Sequence, residues 1–253
     1  MKIYKNCIFD LYGTLVDIHT DEEQSLVWEK LALFYGYYGA HYSQLELKGA
    51  YERMSRQDAA SHAVEGMVER NIGHEAFPEI QIEKVFAGLF RMKGVEADPE
   101  LSVLAGQFFR VLSTEYVRLY DGAAGLLKNL RDRGRKVILL SNAQRIFTEY
   151  EMKALGIWDL FDKIFISSDY GVKKPDIRFY KKMMEVCRIA PEESIMVGND
   201  GICDIHGAKA AGLSTLYLRS NLSPKEDIPD ADWVVDPLDM GTVQCILLEG
   251  TSD

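Results

Sequence analysis

The chain has 253 residues, 47% hydrophobic and 27% charged, the balance of a soluble globular protein with enough length for a core and an accessory lobe. Its 29 Lys and Arg against 39 Asp and Glu leave a formal charge of −10, which argues against nucleic acid or an anionic membrane as partner, since both need clustered positive charge. No stretch is apolar enough to span a bilayer, and the N-terminus lacks the basic flank, apolar region and cleavage site of a signal peptide. The four cysteines, Cys7, Cys187, Cys203 and Cys245, have no CxxC or CxxH spacing, so reduced thiols in a cytoplasm fit better than a disulfide framework or a zinc site. The chain is expected to act as a monomer or a homodimer.

Residues 5–9 are short and apolar and lead to Asp10, which predicts a buried strand. From about residue 21 to 116 the pattern is helical, with spacings such as Leu26, Lys30, Leu33, Tyr37 and Val85, Leu89, Met92. Gly36, Gly39, Gly73, Pro78, Gly94 and Pro99 punctuate it as helix ends or turns. No strand is expected there. After Asp121 the chain alternates: helix 123–133, strand 136–140, helix 146–155, strand 163–167, helix 175–187, strand 194–198, helix 204–211 and strand 214–218. A last strand over 231–235 and a last helix over 238–248 follow. Apolar strands alternating with helices predict a parallel sheet covered on both faces, an α/β Rossmann-like core interrupted by a helical lobe.

In open sheets of this kind the site lies beyond the carboxyl ends of the strands. The residues there form a coherent set. The first strand ends in Asp10-Leu11-Tyr12-Gly13-Thr14 and the second in Ser141-Asn142. Lys173-Lys174-Pro175 follows the third, and Gly198-Asn199-Asp200 with Asp204 follows the fourth. A carboxylate can attack phosphorus, acids from two strands can hold Mg²⁺, and a lysine and a hydroxyl can bind phosphoryl oxygens.

These four segments resemble the motifs of the haloacid dehalogenase-like hydrolase superfamily: Asp10-Leu11-Tyr12-Gly13-Thr14-Leu15 as its D-x-x-G-T, then Ser141, then Lys174-Pro175, then the acidic loop 198–204. The stretch 204–212 is similar to its D-x-x-G-A-x-x-A-G. The resemblance implies a catalytic core over 1–17 and 115–253 and a helical cap over 18–114, of the helical-cap subgroup. It implies Asp10 as nucleophile and Mg²⁺ ligand, the Tyr12 backbone carbonyl and Asp200 as further metal ligands, and Asp204 in the outer shell or paired with Lys174. Ser141 and Lys174 would bind the transferring group, with Asn142, Gly13 and Thr14 beside it. Hinges are expected near 16–20 and 116–121. The substrate would be a small phosphorylated molecule.

One position departs from the pattern. Phosphatases of the family carry a second aspartate two residues after the nucleophile, to protonate the leaving group and activate water; here it is Tyr12. A phenol with an ordinary pKa of ~10 is a poor base at neutral pH. Three readings stay open: a phosphatase without that aspartate, using a cap acid or a good leaving group; a 2-haloacid dehalogenase, whose halide needs no proton and whose family branch has tyrosine here; or a non-catalytic binding protein. Retained Asp200 and Asp204 favour Mg²⁺, because carboxylates packed without a cation repel. No arginine between Val16 and Arg53 is available for a haloacid carboxylate. His19 is a candidate substitute acid or base, Asn199 a neutral outer-shell group or turn former, and Cys203 an inert core thiol. Asp176 reads as a helix N-cap.

Overall fold

A computed structural model of the chain describes residues 3–61 and 79–249. In chain order, β1 (Asn6–Phe9) and β2 (Val16–Thr20) precede four helices, α1 (Ser25–Tyr37), α2 (Gln44–Ser61), α3 (Ile82–Arg91) and α4 (Pro99–Ser113). Then come β3 (Thr114–Leu119), α5 (Ala123–Asp132), β4 (Lys136–Ser141), α6 (Arg145–Ala154), β5 (Lys163–Ile166), α7 (Ser167–Tyr170), α8 (Ile177–Cys187) and β6 (Ser194–Gly198). A π-helical turn, Gly201–His206, leads into α9 (Gly207–Ala210), and β7 (Ser214–Leu218), β8 (Trp233–Val235) and α10 (Met240–Glu249) complete the chain.

Six strands form one parallel sheet in the order β5-β4-β1-β6-β7-β8. This is the α/β Rossmann-like core expected from the alternating pattern. Cys7, Phe9, Val137 and Leu139 face one side with α5 and α10, while Ile8, Ile138, Leu140 and Met196 face the other with α8. Alternate residues thus enter opposite cores, as the period of a strand requires. The central strand β1 has β4 on one side and β6 on the other, with Phe9 level with both Leu139 and Val197. That register brings the residues after β1, β4 and β6 to one crevice.

Helices α1–α4 pack around Trp28, Tyr35, Phe86, Phe90 and Phe109, with Ile146 of α6 joining from the core side. In α1 the buried stripe is Val27, Trp28, Leu31 and Tyr35. Leu26, Leu33 and Tyr37, which share a helical spacing in the sequence, lie exposed on the neighbouring face. The aromatic run is split in the same way: Tyr35 donates to the Phe86 carbonyl and Tyr42 to that of Leu89, while Tyr37 is 85% exposed. Helix α4 begins as sequence rules dictate, with Pro99 in its first turn and Asp98 accepting from Leu101 N at 2.7 Å. Gly73 and Pro78, expected as helix ends or turns, lie outside the described residues.

Two expectations are corrected. The segments read as hinges are strands: β2 and β3 pair antiparallel, Val16 opposite Leu119 and Ile18 opposite Val117. The Thr114–Leu119 strand also begins inside the stretch expected to hold no strand. Its stability comes from a partner about a hundred residues away, which local periodicity does not register. The helix expected over 204–211 instead starts as a wider turn at Gly201, because Asp200 Oδ1 accepts from the amides of Ile202 and Cys203 at 2.9 and 2.7 Å. Among the described residues no helix is long and apolar enough to cross a membrane.

Candidate active site

The crevice is built around Lys174. Its side chain is only 1% exposed and its Nζ donates to Asp10 Oδ1 at 2.7 Å and to Asp204 Oδ1 at 2.6 Å. Ser141 Oγ donates to the same Asp10 oxygen at 3.1 Å. Each group sits just beyond a strand: Asp10 after β1, Ser141 at the end of β4, Lys174 in the loop after α7, Asp204 in the turn after β6. Burial alone would push the Lys174 ammonium down, but Asp10 and Asp204 hold its pKa above the ordinary range and keep it charged. Burial and the charge of Asp10 raise the Asp204 carboxyl, against the pull of Lys174.

The surrounding polar groups act as struts. Asn142 accepts from Lys174 N at 2.8 Å and donates to Lys174 O at 2.9 Å, so its amide fixes the lysine loop. Gly13 has φ +84°, and an added Cβ would lie 2.3 Å from Asn199 Nδ2, so this turn accepts glycine. The Gly13 amide is bound to Val16 O at 2.8 Å, and Thr14 Oγ1 donates to Asn199 Oδ1 at 3.2 Å. Asn199, rather than Asp200, is therefore the residue of the acidic loop that packs on the first motif. Asp204 Oδ2 accepts from Asp200 N at 3.0 Å, closing the loop on itself. Asp176 caps α8 by accepting from Arg178 N at 2.9 Å. His19 stacks on Tyr116 and stands 3.7 Å from Glu115 in the β2–β3 ribbon, a half-exposed place among ribbon residues. Cys203 is buried.

The donor set fits a hard divalent cation. Lys174 pairs with Asp10 and Asp204, and Asp200 adds a further carboxylate to the same loop. Asp10 and Asp200 offer carboxylate oxygens here, and Tyr12 offers a backbone carbonyl two residues after Asp10. These are oxygens, the ligand type Mg²⁺ selects. Among the described residues no group of three or more His, Cys, Asp or Glu is placed so that it could hold a metal ion.

Tyr12 turns away from Lys174. Its hydroxyl donates to Glu151 Oε2 at 2.5 Å and lies 3.1 Å from Thr148 Oγ1, both on α6. Arg110 of α4 donates to Glu151 Oε1 at 2.7 Å, and its guanidinium lies 5.8 Å from the centre of the Tyr12 ring. Burial, then the Glu151 charge, pushes the phenol far above its ordinary pKa, so it stays protonated. A cleft of about 520 Å³ between α4, β3 and α6 reaches this pair, and its lining does not include Asp10, Ser141 or Lys174. On the other side, Glu79 accepts from Ser167 Oγ at 2.6 Å and from Gln144 Nε2 at 3.0 Å, tying the approach to α3 to the ends of β4 and β5. Sequence reasoning missed Arg110, Glu151 and Glu79, because each reads as an ordinary surface charge on a helix or loop.

A glyceraldehyde 3-phosphate phosphatase from Pyrococcus furiosus is 28% identical over 156 residues, 60% of this chain and 65% of that protein. The chain thus spans a little under two thirds of that relative. A phosphoserine phosphatase from Thermus thermophilus is 28% identical over 182 residues, 66% of this chain and 73% of its own. Among solved structures, the putative HAD-hydrolase YfnB from Bacillus subtilis, bound to magnesium, has a TM-score of 0.54 at 23% identity, covering 97% of this chain and 99% of that one. The L-2-haloacid dehalogenase from Xanthobacter autotrophicus has a TM-score of 0.55 at 20% identity, covering 99% and 100%. Both share the fold. A family model described as haloacid dehalogenase-like hydrolase matches residues 4–212, and the chain belongs to that family of hydrolases.

Proposed function

We propose that this hydrolase acts on a small phosphorylated molecule, passing the phosphoryl group to Asp10 and then to water. The observation that carries the reading is the convergence of Ser141 Oγ and Lys174 Nζ on one oxygen of Asp10, at 3.1 and 2.7 Å. An oxygen of Asp10 attacks phosphorus, the bond to the leaving oxygen breaks, and an aspartyl phosphate forms; water then attacks that phosphorus and frees Asp10 and inorganic phosphate. Lys174 has three N–H groups and spends two on carboxylates, which leaves one for a phosphoryl oxygen. Ser141 holds the nucleophile's orientation and can turn its hydrogen bond to the substrate. Asp10, the Tyr12 carbonyl and Asp200 would hold Mg²⁺, with Asp204 behind them. When bound, the ion neutralises charge on the transferring group. The helical segment 18–114 serves as the cap that covers the crevice of the core formed by 1–17 and 115–253.

Tyr12 supplies neither acid nor base in this scheme, because its proton is committed to Glu151. The leaving group is therefore one that departs with little proton help, such as an acyl phosphate, or is protonated by an acid of the cap. Glu79 is a cap carboxylate hydrogen-bonded to Ser167, just after β5. The names of the two phosphatase relatives support the phosphate-ester reading. Tyr12 favours a second reading, metal-independent hydrolysis of a carbon–halogen bond at Asp10.

Turnover of p-nitrophenyl phosphate, acetyl phosphate and L-2-chloropropionate with and without Mg²⁺ separates the two. Mg²⁺-dependent phosphate release is the expected result; metal-independent chloride release replaces it with the dehalogenase reading. Asp10→Asn is expected to lower turnover on the order of 10³-fold or more with an unchanged circular dichroism spectrum. Near wild-type turnover in that variant removes Asp10 as nucleophile.

A further inference from the structure

Tyr12, Glu151 and Arg110 come from three parts of the chain: the turn after β1, helix α6 of the core and helix α4 of the helical segment. The Arg110 and Glu151 side chains are 18% and 12% exposed and meet in fork geometry, Nε to Oε1 at 2.7 Å and Nη2 to Oε2 at 3.4 Å. Although the pair lines the cleft between α4, β3 and α6, it is mostly buried, and such a pair persists best when its remaining lone pairs are also satisfied. The Tyr12 hydroxyl fills that role on Oε2, and buried Thr148 fixes the phenol from the other side. Tyr12 is in turn part of a tight turn: Gly13 N bonds Val16 O at 2.8 Å, Leu15 N bonds Leu11 O at 2.8 Å, and Val16 N bonds Leu11 O at 2.9 Å.

We infer that Glu151 is a positioning residue that couples the seating of α4 on the core to the backbone of the turn that carries Asp10 and Tyr12. With α4 seated, Arg110 balances the Glu151 charge and the phenol completes its hydrogen bonds. With α4 displaced, the carboxylate is left without its cation in a nearly dry place. It then draws water, the phenol's bond to it has a competitor, and the turn loses its anchor. The position that would carry an acid–base group is given instead to a sensor of closure. The functional meaning of this coupling rests on the proposed role of Asp10, but its physical test does not.

Hydrogen exchange of the full-length chain, read by mass spectrometry on peptides covering residues 10–16, measures the turn directly and needs no substrate. Arg110→Met is expected to speed exchange of the Gly13, Leu15 and Val16 amides about tenfold, a coupling of ordinary size for neighbours in one network. Amides of β6 should keep their protection. Glu151→Gln should reproduce this, and Arg110→Lys, which keeps the cation, should restore most of it. Unchanged exchange at 13–16 in both Arg110→Met and Glu151→Gln overturns the inference, as does a rise spread evenly over the sheet, which marks general destabilisation. If Glu151→Gln does not fold, Arg110→Met and Tyr12→Phe decide it, since both keep Glu151: their effects on 13–16 should fail to add in the double variant, and additive effects overturn the coupling. The turnover panel judges the hydrolase reading separately.

Discussion

Asp10 faces a cluster closed by the sheet itself, with Lys174 between two carboxylates at 2.7 and 2.6 Å, whereas Tyr12 faces a cluster assembled from α6 and α4. The first centers on two ion pairs of Lys174 and the second on one ion pair of Arg110, all of low exposure. They differ in what holds them together. Asp10 and Asp204 follow β1 and β6, Ser141 ends β4, and Lys174 lies in the loop after α7 that leaves β5, so the topology of one parallel sheet brings them together. The second exists only while a helix of the inserted segment rests on the core. A site built on strand ends is rigid by construction; one built across two packed units can report whether they are in contact.

Removing the central cation from each cluster should expose that difference. Lys174→Met leaves Asp10 and Asp204 buried with no counter-charge, and a loss of about 3–5 kcal/mol in urea unfolding is expected. Arg110→Met acts on a pair that already lines a cleft, so its global cost should be smaller, about 1–3 kcal/mol. Equal losses would break the distinction between a closed and a conditional cluster.

A third buried acid sharpens it further. Asp17 of β2 is buried, and although burial raises its pKa, hydrogen bonds from Asn221 and Arg118 together with the Arg118 charge hold it below the usual carboxylate range. A group with a depressed folded pKa stabilises the fold above its unfolded pKa and loses that contribution as pH falls through the folded one. Wild type should therefore lose more stability than Asp17→Asn on acidification below about pH 4. Identical acid profiles would mean that this cross-strand cluster contributes nothing.

The smallest effect concerns the thiols. Cys7 is buried and its thiol is pushed up to about 12, chiefly by burial, so at neutral pH it is neither accessible nor ionised. Cys187 and Cys203 are also buried, and Cys245 is exposed. Titration with a thiol reagent should find only Cys245 in the native protein and all 4 cysteines after denaturation. Rapid reaction of Cys203, which neighbours Asp204, would show that the strand-end cluster opens in solution.

Much of the core was legible beforehand for a physical reason. Strands β1, β4, β6 and β7 are short apolar runs closed by polar residues, and helices between them carry caps such as Asp176. Where such strands lie parallel, the residue after each must face the same crevice. Asp10, Ser141 and the loop that carries Asp204 are legible in this way, whereas only the resemblance to the family's Lys-Pro motif selects Lys174 over Lys173. The β2–β3 ribbon was not, because Val16 finds Leu119 across the whole helical insertion, and five alternating residues beside a catalytic motif read equally well as a hinge. Spacing alone does not mark the buried face of α1, since Leu26 and Leu33 repeat as regularly as Trp28 and Leu31; packing on the neighbouring helices decides between them.

The sequence by itself determined the order of elements, the parallel core, the acidic charge and the residues that end each strand, because these depend on local periodicity and on the fixed geometry of strand–helix–strand units. Tertiary structure decided the partners of those residues. It placed Asn199 on the first motif, gave Asp200 to the amides of its own turn, and turned Tyr12 toward Glu151 and Arg110. Such choices follow from burial and charge summed over segments far apart in the chain, and no spacing in one segment encodes them.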